Sequence, residues 1–297
     1  MRKWLAAGAL LAGLVLDASP AAAWGFVGHQ LIMRRAIDLL PAEIKPFFER
    51  RREEVVLRAI DPDLWRSVGW PEDPNHFMDF GVKEYGAFPF VALPREYGAA
   101  LAKFGPATLD RNGRLPWRLD EMAGSLRREF EALPRNAPYT LRNIVLFSGV
   151  SAHYLQDAHQ PFHATEDYDG VAAGQRGIHT RFERDLIERF GARLALNPAP
   201  PTPITAPRDT AFDVLLSGYQ LVDRVLRADR EASEGRNEYD DVYFQRFFDK
   251  VRPILEERLS AAISATAALI TGAWVQAGRP SVRLDEARPA QRIDRSR

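Results

Sequence analysis

The densest chemistry in this chain lies in eleven residues, His153-Tyr-Leu-Gln-Asp157-Ala-His159-Gln-Pro-Phe-His163, which bring together three imidazoles and a carboxylate. Imidazole nitrogen and carboxylate oxygen are ligands for divalent metal ions, and both need partners when buried. The stretch before them, residues 139–149, is apolar at helical spacing through Leu141, Ile144, Val145 and Phe147. His153 and Asp157 are therefore expected one turn apart on one helix face. Pro161 has no amide proton and restricts Gln160, so the helix should kink or stop and send His163 along a different line. One segment could then serve two neighbouring ions. The competing reading is a core helix with structural histidines.

Further ligand types stand on either side. In Gly177-Ile-His179-Thr-Arg-Phe-Glu183, His179 and Glu183 are again four apart and share a helix face. Upstream, Asp61-Pro-Asp63 should end a helix over residues 42–60 and start a turn. A Trp- and Pro-rich loop over 64–75 then leads to His76-Phe-Met-Asp79-Phe. Asp61 and His76 could hold one ion across that loop, with Asp63 as the other choice of carboxylate. An ordinary turn aspartate and a surface histidine form the alternative. His29 heads an amphipathic helix running through Leu31, Ile32, Ile37 and Leu40. Just before it, residues 1–23 have the layout of a secretory signal: Arg2 and Lys3, an apolar run too short to span a membrane, and Ala21-Ala-Ala23. Cleavage after Ala23 would leave Trp24 with a free α-amine, which forms a five-membered chelate with its own carbonyl oxygen and loses its proton readily to a metal.

The candidates in chain order are Trp24, His29, Asp61, His76, His153, Asp157, His163, His179 and Glu183. One zinc takes about three or four protein ligands and an open water position, so these groups, with one bridging carboxylate, suit three ions. All six histidines fall between His29 and His179. A structural sprinkling would not cluster in this way.

The elements that must position these groups read as helices. No alternating strand pattern and no internal repeat is present, and the expected class is all-α, a single multi-helical domain over residues 24–278. Helical patterns cover 119–133, 139 onward, 178–196, 209–232 and 239–277, with Pro253 kinking the last. The final two carry no histidine and read as scaffold. Residues 85–118 read as loops with short helical turns, 197–207 as an extended connector, and 279–297 as a charged tail expected to be disordered. The chain has no cysteine, which excludes thiolate zinc sites, disulfides and thiol catalysis. Its 40 basic and 40 acidic residues balance, so no global field draws it to nucleic acid or an anionic membrane. The expected product is a secreted or periplasmic monomer.

In these motifs the sequence resembles the zinc-dependent bacterial phospholipase C and single-strand-specific nuclease superfamily. The resemblance rests on Trp-Gly-x-x-Gly-His (Trp24 to His29) after a signal peptide, Ala-x-Asp before a loop and His-Phe-x-Asp (Asp61, His76). It rests further on His-x3-Asp-x-His-Gln-Pro-x-His and on His-x3-Glu, all within residues 24–183. It implies an all-α fold and a trinuclear zinc site. Asp61, His76, His153 and Asp157 would hold one ion. Trp24, His29 and Asp157 would hold its close neighbour, with Asp157 bridging. His163, His179 and Glu183 would hold the third. His159 would be no ligand but a hydrogen-bonding support. Asp61 and Asp157 would be the catalytic carboxylates, and a water activated between the close ions would attack phosphorus with no covalent intermediate. Glu183 in its Gly-Ile-His-Thr-Arg-Phe-Glu context looks like the phospholipase branch, where the nuclease branch carries Asp. The substrate is thus expected to be a phospholipid, with single-stranded nucleic acid the runner-up. Trp65, Trp70, Phe88, Phe90 and Trp117 could stack bases, line a lipid pocket or fill core. A periplasmic zinc-binding protein without turnover is the alternative of another class.

Overall fold

The computed structural model describes residues 24–285, so the expected signal segment and the residues after Asp285 lie outside the described residues. The described chain is all-α, with one isolated bridge between Phe80 and Thr165. Its helices are α1 (Gly25–Ile37), α2 (Lys45–Arg50), α3 (Arg52–Arg58), α4 (Asp61–Ser67), α5 (Tyr97–Phe104), α6 (Pro106–Asn112) and α7 (Leu115–Ala132). After these come α8 (Thr140–Ala158), α9 (Ile178–Thr180), α10 (Leu186–Phe190), α11 (Pro207–Tyr219), α12 (Val222–Ser233) and α13 (Asp241–Gln276).

The axis is α8. On one side its Leu141, Ile144, Val145 and Ala152 join a core built with α1, α3, α12 and α13. On the other side Val150, Tyr154, Leu155 and Ala158 join a second core with α7, α11 and residues 78–93. From Ser148 to Ala158 this helix, wedged between two cores, is buried on every face, so the polar groups in its last two turns can only be satisfied inside the protein. Gly149 lets α3 come close: a Cβ there would stand 2.3 Å from Arg58 Cβ. That approach delivers the Ala59 carbonyl and then α4 to the polar end of α8.

Four local expectations change. The segment over 42–60 is two helices, broken at Arg51 (φ −113°, ψ 19°). Asp61-Pro62 opens α4 instead of a loop, because proline in a first helical turn lacks only an amide proton that would have no intrahelical acceptor. Residues 178–193 form one helical run that is not uniformly α: α9 passes into a π-helical turn at Arg181–Asp185, then into α10 and a 3-10 turn ending at Arg193. The 209–232 pattern is two helices, α11 and α12. Pro253 does lie inside α13. Among the described residues α13 has the length and hydropathy of a membrane span, and 67% of its apolar 18-residue window is buried as core. The first residues of the presumed tail are tied down: Arg51 donates to the Leu284 carbonyl and Arg50 pairs with Asp285 at 3.0 Å.

Candidate metal centre

At the end of α8 the side chains fall into three adjoining buried groups: His29, His153 and Asp157; Asp63, His76 and His153; and His163, His179 and Glu183. Within each, the ligand atoms lie within 4.8 Å of one another. Together they draw on α1, α4, the loop before His76, α8, the 3-10 turn at Pro161–Ala164 and α9 with its π turn.

Hydrogen bonds set which nitrogen of most of these imidazoles faces the centre. His29 Nδ1 donates to Gln156 Oε1 (2.6 Å), and the Gln156 amide nitrogen is committed to Thr266 Oγ1 (3.3 Å). His153 Nδ1 donates to the Ala59 carbonyl (2.8 Å), and His163 Nδ1 to the His76 carbonyl (2.6 Å). Such bonds fix ring orientation and leave the opposite nitrogen as a bare lone pair. These nitrogens face acceptors. His29 Nε2 is 3.3 Å from Asp157 Oδ1, and His153 Nε2 is 3.2 Å from Asp157 Oδ2 and 3.0 Å from His76 Nδ1. His163 Nε2 is 3.1 Å from His179 Nε2, itself 2.9 Å from Glu183 Oε2. Lone pairs aimed at lone pairs in a water-poor interior call for a cation between them, a proton or a metal ion.

The unsatisfied atoms support that reading. His29 Nε2, His76 Nε2, Asp157 Oδ1 and Glu183 Oε1 are buried without a hydrogen-bond partner, and neither oxygen of Asp63 has one, its ion pair with Arg66 being 3.4 Å long. Polar groups left this way are destabilising unless something binds them. The all-nitrogen-and-oxygen donor set fits divalent ions of the zinc type. The protonation pattern shows which imidazoles are neutral and where a proton takes the cation's place. Burial pushes His76 down to about 3 and His163 down to about 4, so both are neutral ligands near neutrality. Burial also pulls His153 down, but the charges of Asp157 and Asp63 overcome it and carry it up to about 9. Burial disfavours the Asp157 anion, yet the charge of His153 and the surrounding imidazoles hold its carboxyl well below the usual range. Asp157 meets His29 with one oxygen and His76 and His153 with the other, the disposition of a bridge.

Two expected ligands are placed differently. Asp61 pairs with Arg58 (3.1 Å) and is outside the three groups; Asp63 takes its place beside His76 (3.8 Å) and His153. The cause is local. Once Asp61 and Pro62 form a first helical turn, residues two apart point to nearly opposite sides, and only one of the aspartates can face inward. Reading Pro62 as a helix-opening proline would have separated them. Trp24 is fully buried, its indole donating to the Gln156 carbonyl (2.7 Å), but its backbone N–H donates to Glu183 Oε2 (3.1 Å) instead of facing His29 and Asp157. A nitrogen acylated by residue 23 is an amide, which can donate to a carboxylate but offers a metal no lone pair. His159 stands outside the groups as expected: Nδ1 donates to the Leu155 carbonyl, and burial keeps the ring neutral at about 3.

Several contributors carry no spacing signal. Gln156 orients His29, and Gln160 donates to Glu183 Oε2 (2.9 Å) while accepting from the Phe162 N–H (2.6 Å). Glu72 accepts from Tyr154 and from Asn75 (3.0 Å), pinning the loop that presents His76. A cleft of about 370 Å³ opens onto His76, His163 and His179; Arg66, Phe77, Asp79, Arg111 and Tyr168 help line it. Burial and the neighbouring Glu166 charge raise Asp79 to about 8.

The fold and site together define an all-α protein with three adjoining buried groups that could hold metal ions. No family model matches this chain, and none of the curated proteins compared with it matches.

Proposed function

We propose that this chain is a zinc-dependent phosphodiester hydrolase holding three ions, with phospholipids as its leading substrate class. The observation that carries the reading is Asp157, whose two oxygens face two imidazole groups while a third group opens on the same cleft. His29, Asp63, His76, His153 and Asp157 would hold a close pair; His163, His179 and Glu183 would hold the third ion, with the Trp24 nitrogen able to join once it is a free amine. Ions bound there supply a hydroxide at neutral pH and neutralise charge on the phosphate. The chain's own residues do the rest. Arg66, paired with Asp63 (3.4 Å) and Asp73 (3.5 Å), and Arg111, paired with Glu84 (3.2 Å), bring positive charge to the cleft, where it would favour an anionic phosphate. Phe77 and Tyr168 line the same cleft, Tyr168 being 54% exposed. Asp79, neutral near pH 7, donates a hydrogen bond without repelling the phosphate.

A second reading has an observation of its own. Two aromatic rings and two arginines in one cleft also suit a single-stranded nucleic acid, through stacking and phosphate pairing. The preference for phospholipid rests on His-x3-Glu ending at Glu183 and on the balanced charge. The deciding experiment takes chain beginning at Trp24, loads it with zinc, and follows hydrolysis of phosphatidylcholine dispersions and of single-stranded DNA side by side. Faster phosphatidylcholine turnover supports the first reading and faster DNA turnover the second. Bound zinc with neither activity would leave a metal-binding protein and end both.

A further inference from the structure

The third group rests on a turn that is not regular helix, and what holds that turn lies in the histidine-free C-terminal half. Between His179 and Glu183 stands Arg181, two residues from each, so its side chain leaves the turn on the side away from them. It is buried and heavily bonded. Its guanidinium meets Asp229 of α12 through Nε (3.3 Å) and Nη2 (3.2 Å), donates to Tyr243 Oη of α13 (3.0 Å), and lies over the Tyr239 ring at 4.0 Å. The same group donates to the carbonyls of Gln175 (3.1 Å) and Arg176 (2.7 Å), the last residues of the loop leading into α9. Asp229, only 1% exposed, also accepts from Gln175 Nε2 (2.5 Å) and from Tyr243.

The turn needs this support. His179 belongs to α9, only three residues long, and Glu183 to the π turn that follows. A π turn is rare and has no propensity of its own to rely on, so tertiary contacts must fix where its side chains point. Planar, multiply bonded arginine does this better than a single hydrogen bond, because it sets rotation as well as distance.

We infer that Asp229, acting through Arg181, is a positioning residue for the His163–His179–Glu183 metal site and sets the affinity of that site alone. The inference rests on the proposed metal reading of that group. Neither residue touches the ion or the substrate. The close pair has its own supports, Ala59, Gln156 and α8, and is independent of the clamp.

The test uses the full chain processed to Trp24, stripped with chelator and titrated with Co2+ and Zn2+ against a chromophoric competitor. Asp229→Asn keeps shape and removes the charge. The expected result is wild-type affinity for two ions and about 10–100-fold weaker affinity for the third, the range seen when an outer support of a metal ligand is lost. The Co2+ absorption of the third site should be altered while that of the pair is unchanged. Arg181→Lys keeps the charge but not the fork and should give a smaller loss in the same site; it carries the test if Asp229→Asn does not fold. Unchanged third-site affinity and spectrum in these variants, even with a lowered Tm, would overturn the clamp and leave it purely structural. The metal reading is checked separately by His179→Ala. If that variant binds as many ions as wild type, the metal assignment falls and the clamp's role falls with it.

Discussion

The close-pair groups and the third group are built from the same residue types yet held in different ways. His153 and Asp157 belong to the buried C-terminal half of α8, lodged between two cores, and His153 and its neighbour His29 are oriented by groups equally deep, the Ala59 carbonyl and Gln156. His163, His179 and Glu183 come from a 3-10 turn, a three-residue helix and a π turn, steadied by Gln160 and by Arg181 reaching to α12. The first site inherits its geometry from packing. The second depends on a few side-chain bonds. Where packing fixes a site, losing one support should matter little beyond it; where side chains fix it, one substitution should loosen the ligands together.

The largest effect is expected at the bridge. Asp157→Ala should remove both ions of the close pair while leaving the third, with phosphodiesterase turnover falling to the uncatalysed background; metal analysis of the purified variant checks it. Next comes the choice of carboxylate. Asp63→Asn should lose one ion of the pair and most turnover. Asp61→Asn should lose its partly buried pair with Arg58, a modest loss of stability in urea unfolding, with metal content unchanged. The reverse ranking would return the ligand role to Asp61. Smaller again is Gln160→Leu, which frees Glu183 and should weaken the third ion about 10–100-fold in chelator competition without touching the pair.

The cleft supplies an effect of another kind, and it is read in pH. Asp79 has its carboxyl raised to about 8 when folded, by burial and then by Glu166, against 3.8 in a free chain. Between about pH 4 and pH 8 the unfolded chain ionises Asp79 while the folded protein keeps its proton, so this group makes stability fall as pH rises through that window and level off above it. Asp79→Asn removes the slope. Its stability relative to wild type should therefore grow from pH 4 to pH 8, measured by urea unfolding at each pH; a difference independent of pH would contradict the assignment.

How much of this was legible in the chain follows the same division. The all-α class, α8 and the ligand types at His29, His76, His153, Asp157, His163, His179 and Glu183 were readable, because helical spacing places residues four apart on one face and Pro161 marks where the direction changes. The inward aspartate was not, since choosing Asp63 over Asp61 required knowing that Pro62 opens a helix instead of ending one. Nor were Gln156, Gln160, Arg181 and Asp229. A glutamine or an arginine is ordinary at almost any position, and its role here comes from contacts across long sequence separations, such as Arg181 with Asp229. The C-terminal half reads as scaffold from composition, and α12 and α13 do supply core; the two residues of these helices that reach the clamp are visible only once the helices are packed.

The central claim is that Asp157 bridges two ions while His163, His179 and Glu183 hold a third. Anomalous X-ray scattering at the zinc edge, from crystals of the zinc-loaded chain beginning at Trp24, tests it most directly. The account predicts three peaks: two about 3.5–4 Å apart on either side of the Asp157 carboxylate, and one against Glu183. Crystals grown in zinc with no peak at Asp157, or a single peak there bound by only one of its oxygens, would contradict it.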